Sequence, residues 1–152
     1  MNVQLVHHDG LRTFVAVLDK GDEVVSSLTE FASAEHIGAA SLSAIGAFSR
    51  TTIGYFDRHT KAYEHIPIDE QVEVLSLVGD IALADGAPKL HAHVVLGRRD
   101  GTTCGGHLLD GQVWPTLEVV ITQVPGHLRR RVDPQTGLAL IELESSDPPG
   151  DA

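Results

Sequence analysis

The sequence predicts an α+β domain, a mainly antiparallel β-sheet with one main helix packed on it. Two observations predict it. Runs rich in valine, isoleucine, threonine and aromatic residues recur along the chain, mostly joined by short Gly-, Asp- or Pro-containing turns. One stretch alone, just after Lys20-Gly21-Asp22, carries its apolar residues at helical spacing. A sheet with so few helices leaves a face or edges uncovered, and oligomerisation is the ordinary remedy.

The first strand is Leu11–Leu18, β-branched and aromatic, with apolar residues on both faces. Lys20-Gly21-Asp22 breaks it and offers Asp22 or Gly21 as a helix cap. From Asp22 to His36 the apolar positions Val24, Leu28, Phe31 and Ala32, with Val25 alongside, mark one helical face. Gly38 stops this helix, and His36 reads as a side chain capping its C-terminus. Ala39–Gly46 and Arg50–Arg58 read as successive strands separated by Gly46-Ala47-Phe48-Ser49. The turn Asp57-Arg58-His59-Thr60 leads to a short polar strand, Lys61–Ile68, whose His65 is read, like His59, as a surface residue.

Gln71–Leu83 is the strongest strand pattern. Val72 and Val74 alternate with polar neighbours, then the apolar phase changes through Leu75, Leu77 and Val78, which predicts a bulge or burial on both faces, with Gly79 suited to the bulge. A turn at Asp85-Gly86-Ala87-Pro88 delivers the chain antiparallel into Lys89–Gly97. Thr102–Leu109 follows, Asp110-Gly111 turns again, and Pro115–Val124 forms a further strand. Arg129-Arg130-Arg131 alternates faces in an extended segment, which suggests ion pairing within an acidic chain or subunit packing. Asp133–Gly137 is a turn, Leu138–Leu143 a last strand, and residues 145–152 a disordered tail. One domain, residues 1–144, accounts for the rest.

Composition bounds the function. The 152 residues are 42% hydrophobic and 21% charged, with one cysteine, so no internal disulfide can form. A reducing cytoplasm fits that, and the N-terminus lacks the basic-then-apolar pattern of a secretion signal. No apolar run reaches the roughly 20 residues of a membrane helix. A net charge of −10 opposes the phosphate attraction behind most non-specific DNA affinity, without excluding a local basic patch.

The chemistry concentrates in LHAHVVLGRRDGTTCGGHLLDGQVWPTLEVVITQ, Leu90–Gln123. His91 and His93 are two apart and share a strand face. A two-residue Asp100-Gly101 loop would send His107 to the other face. A three-residue loop, Arg99-Asp100-Gly101, sets His93 directly opposite His107, and it wants glycine at its left-handed third position, where Gly101 stands. Three neutral imidazoles with an open fourth position suit zinc, or another divalent transition metal such as copper, nickel or iron, in a ligand-exchanging site. Cys104, at an odd offset from His107, points to the other face as a small buried hydrophobe. Glu118, an acid among valines and isoleucine, is either outward-facing or an orienting partner for an imidazole or a metal-bound water.

Three runs, VEVLSLVGDIA (Val72–Ala82), LHAHVVLGRRDGTTCGGHLLDGQV (Leu90–Val113) and LEVVITQ (Leu117–Gln123), together resemble the PPC (plants and prokaryotes conserved) domain, also designated DUF296. The helix region Gly21–Ser49 and the ending RRRVDPQTGLALIEL (Arg129–Leu143) fit it too. The resemblance implies an α+β subunit assembled as a homotrimer. It also implies a metal, zinc by preference, on the positions His91, His93 and His107. Plant members of the family join this domain to Arg-Gly-Arg-Pro AT-hooks, and this sequence has none. Two functions follow as expectations. One is a metal-dependent site at a subunit interface, catalytic or binding a small anionic ligand, with Glu118 a candidate base or orienter. The other is a non-enzymatic, DNA-associated or protein-interaction regulatory module.

Overall fold

A computed structural model describes residues 1–126 and 128–143; the end of the predicted domain at 144 and the predicted tail at 145–152 lie outside them. In chain order the elements are β1 (Asn2–Asp9), β2 (Leu11–Asp19), α1 (Val24–Ala34), β3 (Ala39–Asp57), β4 (Ala62–Ile68), β5 (Val72–Ala84), β6 (Ala87–Gly97), β7 (Thr103–Gln123), β8 (Arg129–Val132) and β9 (Ala139–Glu142). The expected α+β class, with one helix on a mainly antiparallel sheet, is what the chain adopts; β8 against β5 is the one parallel pairing among these strands.

All nine strands among the described residues belong to one sheet. β3 pairs with both β5 and β7, and β6 also pairs with both β5 and β7, so these four strands close on themselves. α1 packs against β6 and β7. β6 shows why: Leu90, Ala92, Val94 and Leu96 are buried while Lys89, His91, His93 and Val95 face the other way, a strict period of two. Helical Val24, Leu28 and Ala32 are buried in the same core as Phe48, Leu77, Leu117 and Ile121, with Phe31 packed at its edge.

Several boundaries differ from the sequence reading. Ala39–Gly46 and Arg50–Arg58 are not two strands but one, β3, bent by register shifts near Gly46 and Phe48. Asp110-Gly111 is not a turn, because β7 runs through it, with Asp110 paired to Thr52 and Gly111 to Thr51. Thr51 Oγ1 donates to the Asp110 carbonyl, which supplies a long-range partner that local turn chemistry cannot anticipate. β1 emerges from a stretch with no clear strand pattern, and every one of its residues is exposed. Its order comes from pairing along β2, not from burial. The β5 bulge falls at Leu75, the first of the residues over which the apolar phase changes. Gly79 does not form it; a side chain there would collide with the His91 carbonyl and Ala92 of β6.

The helix begins later than expected. Its cap is Glu23, whose carboxylate accepts from the backbone N–H of Val25 (3.1 Å) and Ser26 (2.8 Å). Asp22 instead accepts from the Asp19 N–H and pairs with the N-terminal ammonium at 2.9 Å. At the other end His36 takes the left-handed conformation (φ 54°) that glycine usually supplies, so its backbone, not its side chain, terminates the helix. Arg12 Nη2 donates to the freed Glu35 carbonyl at 2.7 Å and Nη1 pairs with the Glu35 carboxylate.

Glu23 also accepts from the Gly111 N–H of β7 at 3.2 Å, so one carboxylate both caps the helix and ties it to the sheet. Glu23→Ala is expected to destabilise the protein by about 1–2 kcal/mol. Denaturant unfolding checks this: the midpoint falls while the slope stays constant.

Candidate metal centre

The β6–β7 turn sets the site. Arg98 N–H donates to the Thr102 carbonyl at 2.8 Å and Gly101 N–H to the Arg98 carbonyl at 2.9 Å. Gly101 sits at φ 82°, in the left-handed region. The loop is therefore Arg99-Asp100-Gly101, and His93 lies opposite His107, the register the turn chemistry favours. Asp100 secures it by accepting from the Thr102 N–H and hydroxyl. Gly106 lets β3 approach, since a side chain there would press on the Gly54 carbonyl.

The three imidazoles meet. Ring centroids are 5.3 Å apart for His91 and His93, 5.0 Å for His91 and His107, and 5.4 Å for His93 and His107. One ring nitrogen from each lies within 4.8 Å of the others, a triangle that a single cation can bridge. Tyr63 of β4 stacks on His107 at 4.6 Å. Cys104 faces the core instead, packed at its edge.

Two residues of this site were missed from sequence, Asp80 and Arg130. The β5–β6 hairpin turns on two residues, Asp85 (φ 51°) and Gly86 (φ 82°), with Ala87 and Pro88 already in β6. That Asp-Gly turn type fixes the register, pairing Asp80 with His91, and the dipeptide could have revealed it. Asp80 Oδ2 lies 3.6 Å from His91 Nδ1, and Asp80 Oδ1 accepts from Arg130 Nη2 at 2.6 Å. Arg130, its side chain only 5% exposed, reaches in from β8 and also sits 3.2 Å from His91 Nδ1. The alternation expected of the arginine run holds: Arg130 points inward, and Arg131 pairs with Glu142 across the hairpin at 2.8 Å.

Glu118 is not brought to the histidines within this chain. It is exposed, eleven positions beyond His107 on β7 and opposite Ile45, in a separate depression lined by Ile45, Leu75 and Val120. Its side chain follows the outward phase of β7, between buried Leu117 and Val119. His59 and His65 are exposed, as expected.

The donor set fits a divalent cation. Burial, then the neighbouring charges of His91, His93, Lys89 and Arg130, push His107 down from 6.5 to about 4. Burial, then His91, lowers His93 as well. Both imidazoles are thus neutral near pH 7, the form that binds metal. His107 Nδ1 is buried without a hydrogen-bond partner, and a cation bound through that nitrogen would satisfy it. His91 presents Nε2 as a lone pair only when its proton is on Nδ1, and Asp80 is the acceptor placed for that tautomer. Arg130, which can only donate, favours the other one. Burial alone would raise the Asp80 carboxyl, but its bonds to His91 and Arg130 hold it below the usual range.

The family model of the Plants and Prokaryotes Conserved (PCC) domain matches residues 7–125. A plant- and prokaryote-conserved protein from Pyrococcus horikoshii superposes with a TM-score of 0.83 at 32% identity, over 95% of this chain and 96% of that one. A metal-containing protein from Archaeoglobus fulgidus gives 0.82 at 35% identity, over 94% and 99%. A candidate DNA-binding protein from Ralstonia eutropha JMP134 gives 0.81 at 33% identity, over 86% and 91%. No curated protein matches.

Two outcomes test this geometry. Asp80→Asn, which keeps an acceptor but loses the charge, is expected to weaken metal binding by about 10–100-fold in competition with a chromogenic chelator. Metal-free protein should lose stability as pH falls from 6.5 towards about 4, because the unfolded chain protonates His107 in a range where the folded chain resists it. Thermal melts across that window check this, and His107→Gln should flatten the dependence.

Proposed function

Because the chain belongs to the Plants and Prokaryotes Conserved domain family and gathers His91, His93 and His107 at one point, we propose that it is a metal-binding protein with an open three-histidine centre. The observation that carries this reading is the triangle of ring nitrogens within 4.8 Å, beside a cavity of about 370 Å³. The metal-containing Archaeoglobus relative supports it. Zinc is the preferred ion, since three imidazoles and a free position match its tetrahedral habit. The cavity leaves room for a small anionic ligand at that position, where the ion would supply Lewis acidity. His91, His93 and His107 would hold it, Asp80 would fix the His91 tautomer, and Tyr63 would brace His107.

Assembly as a homotrimer belongs to the same proposal. Ile45 is 60% exposed, Leu75 51% and Val120 44%, around the depression that holds Glu118. Apolar side chains gathered on one outer face are what a subunit contact buries. A cytoplasmic location is compatible with the lone cysteine; among the described residues no helix is long and apolar enough to cross a membrane.

A second reading, a DNA-associated or protein-interaction regulatory module, has the name of the Ralstonia relative in its favour. The net charge of −10 and the inward use of Arg130 weigh against direct DNA contact.

Elemental analysis of untagged protein distinguishes the readings. The expected result is about one transition-metal ion per chain, as a single three-ligand site requires. His93→Ala should lose it, while light scattering still reports a trimer and the melting temperature matches that of metal-free wild type. Metal-free wild type that takes up no added zinc overturns the metal reading. Retention of duplex DNA at near-physiological salt would favour the second.

A further inference from the structure

The cavity beside the three histidines mixes two kinds of lining. Phe56, Leu138, Ala139 and Leu140 are apolar, and Lys89 and Arg130 are cationic. No acidic side chain among the described residues lines it. Asp80, the nearest carboxylate in register, is already engaged by Arg130 and His91. Lys89 lies two residues before His91, on the same face of β6, and makes no ion pair among the described residues. Arg130 spends Nη1 on the Ala139 carbonyl (2.9 Å) and Nη2 on Asp80, but its Nε is buried without a partner. Two cations lining one cavity, one of them without an ion pair among the described residues, call for an acceptor that carries negative charge.

We infer that this cavity takes a small monocarboxylate with an apolar side chain, its carboxylate set among the metal position, Lys89 and Arg130 and its side chain against the β8–β9 wall. The inference rests on the metal reading above and adds the ligand class. A phosphate group asks for more donors than one N–H and one ammonium, and it has no use for apolar walls. A space of about 370 Å³ lies in the range of small-molecule sites and exceeds what acetate fills. The family match at residues 7–125 covers the histidines, Asp80 and Lys89. Arg130, Leu138, Ala139 and Leu140 come from beyond it, so the β8–β9 hairpin is the part of the site that sets the side-chain preference.

The full chain loaded with cobalt(II) tests this, because cobalt absorption in the visible reports its coordination sphere independently of any activity. Acetate, 4-methylpentanoate, 4-methylpentanamide and inorganic phosphate are the probes. The expected result is a spectral shift with 4-methylpentanoate at an affinity about tenfold or more above that of acetate, from the added buried methylenes. Phosphate should bind more weakly than 4-methylpentanoate, and the amide should give no shift. Lys89→Met should weaken 4-methylpentanoate about tenfold while cobalt affinity holds. Leu138→Ala should narrow the gap between the two carboxylates, also without loosening cobalt. Equal affinities for acetate and 4-methylpentanoate, tighter phosphate, or an indifferent Lys89→Met would overturn the inference. Cobalt uptake with no response to any carboxylate sinks it alone; failure to take up cobalt sinks the metal reading with it.

Discussion

The register of β6 between its two neighbours is the constraint on which the rest depends. One turn, Arg99-Asp100-Gly101, places His93 opposite His107; the other, Asp85-Gly86, places Asp80 opposite His91. Because side chains alternate with a period of two, a slip of one residue in either hairpin would exchange core and site. Leu90, Ala92, Val94 and Leu96 would turn outward and the imidazoles inward. Burial of those four apolar residues therefore fixes the histidines as firmly as the turns do. The core on one face of β6 and the site on the other are two consequences of one pairing.

Charge is arranged around that pairing with little slack. Among the described residues Asp80 is the one carboxylate set against His91 and Arg130, and its bonds to both outweigh the burial that would otherwise protonate it. Arg130 is buried nearly completely and would be costly there without Asp80. The competition for His91 Nδ1 between a guanidinium that only donates and a carboxylate that only accepts makes the tautomer responsive to what occupies the other nitrogen. A cation on Nε2 would move the proton to Nδ1 and strengthen the contact with Asp80. The β8–β9 hairpin, held to β5 through Leu83 and Ala84, is thus coupled to the histidines by one ion pair.

The sequence disclosed local features well where turn chemistry or alternation was decisive. The Gly101 loop, the bulge near Leu75, the apolar helix face and the inward–outward phase of Cys104 and His107 all rest on interactions spanning a few residues. It was less informative where distant partners decide. The run Asp110-Gly111 has turn residues, yet β3 supplies the bonds that keep β7 extended. Glu23 became the cap because it serves β7 as well as the helix. Asp80 was legible in principle, from the Asp85-Gly86 dipeptide, and went unread because its own strand gives no sign of the histidine opposite.

What the sequence by itself determined was the fold class, the three histidines and the face they share, because periodicity and turn type are properties of neighbouring residues. Only the tertiary structure decided that Arg130 belongs with them, that Lys89 lines the same cavity without an ion pair among the described residues, and that Glu118 stands elsewhere. Arg130 is nearly forty residues from His91 in the chain and Glu118 eleven from His107. The first is carried to the site by a parallel pairing of β8 on β5, and the second is carried away along a single long strand. Sequence distance has no bearing on either, since sheet pairing and burial set which side chains share a volume.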